Sequence, residues 1–281
     1  MPLIATGDIV STARARGCAT AAFNIIQLEH VEAIVTGAEA ANAPVVLQIS
    51  ENAVKYHGAL APLARAALTA GEAARIPVSI HLDHVTSLPL VREGLELGLQ
   101  SVMFDASTLG YAANVQATAD VVRLCHDHGV WVEAELGEVG GKDGVHAPGA
   151  RTDPQEAAAY ATATGVDALA VAVGTSHAML TRDACLDFDL IEALAKTVDI
   201  PLVLHGSSGV SDADLAQAVT RGMTKINIAT HLNNAFTAAV RAHLAAHPAT
   251  VDTRTYLGAG RDAVAAEVTR LFGILRPAPA T

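Results

Sequence analysis

Apolar residues recur along the chain in eight short runs rich in Val, Ile, Leu and Phe: Ala21–Ile25, Pro44–Ile49, Val78–Asp83, Ser101–Asp105, Trp131–Leu136, Ala168–Gly174, Leu202–His205 and Lys225–Ile228. Between them lie stretches rich in Ala, Leu and Glu at helical spacing: Leu28–Ala41, Leu60–Ala74, Leu88–Leu97, Ala112–His128, Pro154–Thr164, Phe188–Thr197, Asp212–Arg221 and Leu232–Ala246. This alternation predicts βα units on a parallel sheet, joined by right-handed crossovers. Eight such units match a closed (β/α)8 TIM barrel, an α/β fold, better than an open sheet. An open doubly wound sheet commonly carries a GxGxxG turn after its first strand, and Asn24-Ile25-Ile26-Gln27-Leu28 has none. An extra helix over Thr6–Arg16, with Thr6 as N-cap and Gly17 as its stop, is expected to close the barrel floor. A last amphipathic helix is expected over Arg261–Phe272. No composition break marks a second domain, so one domain over residues 1–281 is expected, with 276–281 a loose tail.

Polar residues inside such strands carry information, because strands of a parallel barrel are apolar on both faces. Side chains alternate along a strand. On the third, Ile80 and Leu82 face the helices while Ser79, His81 and Asp83 face the interior, and His84 falls at the strand end. Asp105 points inward at the tip of the fourth strand, Glu133 and Glu135 on the fifth, Lys225 and Asn227 on the eighth. Unpaired, each buried charge costs roughly several kcal/mol, so a metal or an internal ion pair is expected. Lys225 is expected to neutralise Glu133 or Glu135.

His84, His177 and His205 each lie at or just after a strand C-terminus, the face where barrel enzymes place their chemistry. Three imidazoles there suffice for a Zn²⁺ with one open coordination position. His81, spaced three from His84, falls on the opposite face of a straight strand and reads as an interior hydrogen-bonding residue. The segments His205-Gly206-Ser207-Ser208-Gly209 and Asn227-Ile228-Ala229-Thr230 follow strands seven and eight, the second running into a helix. That is the usual barrel phosphate site: small residues let backbone N–H groups approach an anion, and hydroxyls add donors. Gly137–Arg151 holds five glycines and a proline, and a βα loop of that length reads as a lid. His247–Gly260 is the other segment that looks functional.

Composition narrows the classes. With 51% hydrophobic and 17% charged residues, disorder is excluded. A net charge of −11 without a Lys/Arg cluster argues against nucleic acid or an anionic membrane as partner. Three scattered cysteines form neither a disulfide framework nor a CxxC knuckle. With no apolar run long enough to span a bilayer and no basic-then-apolar leader, a cytoplasmic location is expected.

The motifs together resemble those of class II (zinc-dependent) fructose/tagatose-bisphosphate aldolases over nearly the whole chain. They are Ala22-Phe23-Asn24-Ile25, His81-Leu82-Asp83-His84, Val132-Glu133-Ala134-Glu135-Leu136-Gly137 with Gly140-Gly141, Ala170–His177, Leu202–Ser208 and Lys225–Thr230. The resemblance implies a catalytic zinc on His84, His177 and His205, with Asp83 as acid/base on the hydroxyl at the bond being broken. It implies that Asn24, Ser50, Ala178, Gly206, Ser207, Ser208, Asn227, Ile228, Ala229 and Thr230 contact substrate. Asp105 and Glu135 match positions that can hold a second divalent metal, and Arg261 matches an arginine used on the distal phosphate, often from a neighbouring subunit. A monovalent cation and a homodimer or homotetramer are further implications. The implied reaction cleaves a ketose 1,6-bisphosphate, fructose first and tagatose second, through a zinc-stabilised enediolate to dihydroxyacetone phosphate and an aldehyde such as glyceraldehyde 3-phosphate. Another ketose phosphate is a further alternative.

The sequence also departs from the pattern. Asp143 stands where relatives carry a mobile glutamate after the double glycine, and is the expected loop base, with Glu138 and His146 as alternatives. Ala178 replaces a glycine, and Asp252-Thr253-Arg254-Thr255-Tyr256 replaces an Asp-Pro-Arg-Lys-Tyr stretch. Three rivals are weighed: a lysine Schiff-base aldolase, a metal-dependent hydrolase and a chaperone-like subunit. Of the four lysines (Lys55, Lys142, Lys196, Lys225) only Lys225 points into the barrel. The hydrolase lacks the H-x-H it needs on strand one.

Overall fold

The computed structural model describes residues 3–136, 151–176 and 179–276. Helix α1 (Thr6–Ala15) precedes strand β1 (Thr20–Asn24). There follow α2 (Leu28–Ala40), β2 (Val45–Ser50), α3 (Glu51–His57), α4 (Ala61–Ala73), β3 (Val78–Val85), α5 (Leu88–Leu97), β4 (Ser101–Phe104) and α6 (Tyr111–His126). Next come β5 (Trp131–Leu136), α7 (Pro154–Thr164), β6 (Ala168–Val171), α8 (Phe188–Thr197), β7 (Leu202–Leu204), α9 (Asp212–Arg221), β8 (Met223–Ile228), α10 (Thr230–Ala246) and α11 (Thr253–Leu275). Every strand pairs in parallel with its sequence neighbours, and β1 pairs with β8 to close the barrel. This is the (β/α)8 TIM barrel that the alternation predicts.

The outward residues of the strands form the core under the helices: Val45, Leu47, Ile49, Ile80, Leu82, Val102, Val132, Ala134, Ile226 and Ile228 are all buried there. Their burial removes apolar surface from water on the helix side of each strand. Inside the barrel, near its floor, Ile9 of α1 packs on Ala22 and Val46. Among the described residues no helix is long and apolar enough to cross a membrane.

Several boundaries differ from the sequence expectation. Thr6 is the first helical residue of α1, not its cap, and Ala5 occupies the cap position without a side-chain bond. The Thr6 hydroxyl instead bonds Ser79 and Ser101 across the barrel floor. Gly17 does adopt the left-handed backbone (φ 64°) that ends α1. Helix α3 was not legible as a separate element; Ser50 caps it by accepting from Ala53 N–H. Strand β6 ends at Val171 and not at Gly174, because Ala172 bonds the Thr152 hydroxyl and backbone instead of a neighbouring strand. Helix α11 begins at Thr253, capped by Asp252, so most of His247–Gly260 is helix and not a functional loop. Arg276 is the last described residue of the expected tail.

Candidate active site at the barrel mouth

Strand β3 sets the site. Its pairing with β4 runs in register at His81↔Ser101 and Leu82↔Val102, then shifts before Val85↔Phe104. His84 sits in that irregularity with φ at 50°, a left-handed conformation that is uncommon for a non-glycine residue. Neighbouring side chains on a regular strand point to opposite faces. The bulge breaks that alternation, so Asp83 and His84 both line one cavity. Sterically costly backbone of this kind persists only where the surrounding structure holds it. Here Asp105 does so: its Oδ2 lies 3.1 Å from His84 Nδ1, while its Oδ1 accepts from the Ser107 amide and hydroxyl.

His84, Glu135 and His205 bring ligand atoms within 4.8 Å of one another. The His84 and His205 rings are 4.7 Å apart, centre to centre, at 73°. His205 Nδ1 faces Glu135 Oε2 at 3.1 Å, and its Nε2 lies 2.9 Å from Glu133 Oε1. Two imidazoles and a carboxylate that converge, with Glu135 and His205 buried and His84 half-buried, are a donor set that suits a divalent transition metal such as zinc. A carboxylate on the second nitrogen of a ligand histidine is the usual outer support of such sites. His177 lies outside the described residues, as do Ala178, Glu138, Asp143 and His146.

Lys225 Nζ reaches Glu133 Oε2 at 2.8 Å, so Glu133 and not Glu135 is its carboxylate partner. Burial opposes ionisation of Glu133, but the Lys225 charge and the His205 hydrogen bond outweigh it and hold the carboxyl below its usual range. Asp83 is also buried, yet the neighbouring His84, then His81, His205 and Lys225, keep it low. Burial would lower His205, and its bonds to Glu133 and Glu135 raise it instead. His81 is the expected interior hydrogen-bonding residue: its Nδ1 is 2.7 Å from Ser101 Oγ, and burial pushes its pKa down to about 3.

A cavity of about 110 Å³ opens above these groups, lined by Asn24, Ser50, Asp83, His84, Gly206, Ser208, Asn227, Ala229 and Thr230. Asp83 Oδ1 is buried and has no hydrogen-bond partner among the described residues, while its Oδ2 accepts from Asn24 Nδ2 at 3.1 Å. An orphaned carboxylate oxygen is costly unless a ligand or water meets it. The cavity's other wall is the β7–β8 loop pair. Gly206 has φ 66°, and a Cβ there would come within 2.5 Å of the Ser176 carbonyl, so only glycine fits the turn. The Ser208 hydroxyl accepts from the amides of Ala229 and His231, which pins the turn to the start of α10.

The structure thus brings most of the sequence-predicted residues to one mouth. Ser207 and Ile228 belong to its scaffold: the Ser207 hydroxyl bonds the Asn227 carbonyl, and Ile228 packs in the core. Arg261 sits on α11, paired with Glu32 and Asp262 at 3.2 Å each, and does not line the cavity of this chain. Sequence reading passed over Gln48, a fully buried amide in the run Val45-Val46-Leu47-Gln48-Ile49. Its signal was available: a lone polar residue at an inward position.

The sequence profile of the family described as "Fructose-bisphosphate aldolase class-II" matches residues 4–278. The chain is similar to the YdjI aldolase of Escherichia coli K12, with TM-score 0.86 and 29% identity over 98% of this chain and 97% of that one. It is similar to a candidate fructose-1,6-biphosphate aldolase of Coccidioides immitis, with TM-score 0.86 and 27% identity over 96% and 95%. The fructose-bisphosphate aldolase of Campylobacter jejuni shares the fold, with TM-score 0.83 and 24% identity over 98% and 95%.

Proposed function

The chain belongs to the class II fructose-bisphosphate aldolase family, and from that premise we propose that it is a zinc-dependent aldolase cleaving a ketose 1,6-bisphosphate, fructose 1,6-bisphosphate foremost. The products are dihydroxyacetone phosphate and an aldehyde such as glyceraldehyde 3-phosphate. The observation that carries this reading is Asp83, a residue lining the cavity beside the His84, Glu135 and His205 donors, whose buried Oδ1 has no hydrogen-bond partner among the described residues.

His84, His205 and Glu135, with His177 as a further ligand, would hold a divalent ion, which would supply Lewis-acid chemistry to the ketone end of the substrate. Asp83 Oδ1 takes the proton of the hydroxyl at the bond being broken. That oxygen becomes the carbonyl of the departing aldehyde, and the carbon–carbon bond pair passes to the ketone half. Low proton affinity suits Asp83 to stand ionised as acceptor at neutral pH. Gly206, Ser208, Ala229 and Thr230, at the N-terminus of α10, hold the phosphate of the ketone half. Asp143 returns a proton to the new carbanion carbon in this reading.

The test is cleavage by the purified chain of fructose 1,6-bisphosphate, tagatose 1,6-bisphosphate and a ketose monophosphate, before and after EDTA. We expect fructose 1,6-bisphosphate to react fastest, with activity falling at least about 100-fold in EDTA and returning with Zn²⁺. Activity indifferent to EDTA, with a lysine adduct trapped by borohydride, overturns the reading, as does failure to cleave any of the three.

A further inference from the structure

Lys225 stands in the middle of the barrel, fully buried and outside the cavity lining. Its Nζ lies 2.8 Å from Gln48 Oε1, 2.8 Å from Glu133 Oε2 and 2.9 Å from Asn227 Oδ1. An ammonium carries three protons and no lone pair, so it only donates, and these three acceptors use all it has. That one-way character dictates the direction of every bond beyond it. Gln48 must turn its carbonyl to Lys225, which leaves its NH₂ for Asn24 Oδ1 at 3.1 Å. Asn24 must then offer its own NH₂ to Asp83 Oδ2, also at 3.1 Å. Asp83, which lines the cavity, is left with Oδ1 as an acceptor without a partner among the described residues.

The same donor acts on the other side. Glu133 receives Lys225 on Oε2, so its Oε1 is free to accept the Nε2–H of His205 at 2.9 Å. This fixes a proton of His205 on Nε2 and makes Nδ1, 3.1 Å from Glu135 Oε2, the nitrogen that would serve a metal ion held between the two residues. Asn227, which lines the cavity, spends its carbonyl on Lys225, and its Nδ2 has no partner among the described residues. Amide orientation is normally ambiguous between O and N. Here a donor-only group at the root of the network removes the ambiguity.

We propose that Lys225 is a positioning residue: through Gln48 and Asn24 it orients the acid/base carboxylate Asp83, and through Glu133 it fixes the tautomer of the metal-binding His205. This inference rests on the aldolase reading above for the roles of Asp83 and His205. Its physical content is a single hydrogen-bonding polarity imposed on both halves of the site.

Lys225→Met tests the root directly but leaves Glu133 buried without its cation, and loss of one partner of a buried ion pair can unfold a protein. Two isosteric variants, each of which keeps Lys225 and an acceptor oxygen for every one of its protons, carry the test. Gln48→Glu keeps its bond to Lys225 but has no N–H for Asn24, so the Asp83 arm reverses while the His205 arm stays intact. We expect kcat on fructose 1,6-bisphosphate to fall about 10- to 100-fold, with KM and zinc affinity changed less than about 3-fold. Glu133→Gln turns its carbonyl to Lys225 and its NH₂ against the His205 proton. We expect zinc affinity, read by chelator competition without substrate, to weaken about 10- to 100-fold. Wild-type kcat in Gln48→Glu, or wild-type zinc affinity in Glu133→Gln, with either variant folded by circular dichroism, overturns the inference. Failure of the wild-type chain to cleave any ketose phosphate overturns the aldolase reading instead, and the zinc measurement on Glu133→Gln still decides the network.

Discussion

Asp83 and His84 show how much chemistry one peptide unit can concentrate. One is an interior carboxylate with an orphaned oxygen; the other is an imidazole in left-handed backbone. The resemblance implies acid/base and ligand roles for this pair, but a straight strand sends the two to opposite faces. The register shift before Val85 reconciles them, and no local propensity announces it. Asp83→Asn removes the proton acceptor yet retains an oxygen for the Asn24 amide. We expect kcat to drop about 10²- to 10⁴-fold, with a melting temperature at or below wild type, because the positive groups around Asp83 favour its charged form in the fold. A variant that keeps even a tenth of wild-type kcat removes Asp83 from proton transfer.

Among the elements, helices announced themselves by periodicity, and their missed boundaries have particular causes. Gly258 and Gly260 made the approach to α11 read as loop, whereas Asp252 caps the helix before them. Gly260 is there because the Phe236 ring of α10 lies against it; a Cβ would meet that ring at 2.7 Å. Gly37 serves α2 in the same way, since a Cβ there would stand 2.5 Å from the Ala265 carbonyl of α11. Backbone cannot yield as a side-chain tip can. Gly37→Ala should therefore force α2 and α11 apart and destabilise the fold by about 1–3 kcal/mol, despite its better helix propensity. Urea unfolding measures this directly, and an unchanged or raised midpoint would show that the two helices have slack.

For the molecule as a whole, buried histidines govern behaviour in acid. His30, 4% exposed, lies edge-on to Phe236, and its Nδ1 accepts from the Ile26 amide. Burial pushes its pKa from the usual 6.5 down to about 4. Between those values the unfolded chain binds a proton that the folded chain refuses. Stability is therefore full above pH 6.5 and is lost as pH falls toward 4, by about 3 kcal/mol in all. His81, pushed down to about 3, acts in the same direction. His30→Gln keeps an acceptor for the Ile26 amide without a titrating ring, so its urea midpoint should fall less than wild type between pH 6.5 and 4.5. Parallel slopes for the two proteins would remove His30 from the acid response.

The sequence by itself determined the barrel and the inward polar set that lines its interior. Hydrophobic periodicity and strand alternation are local, so Glu133, Glu135, Lys225 and Asn227 could be assigned to the interior from their neighbours alone. Tertiary structure alone decided the partnerships. Lys225 could have answered either glutamate; closure of β1 onto β8 and the register of β5 put it on Glu133 and left Glu135 with the histidines. Hydrogen-bond direction in the barrel centre was likewise undecidable from residue types, because an amide donates or accepts according to what faces it. Only three-dimensional closure places a donor-only ammonium against Gln48, Glu133 and Asn227 at once.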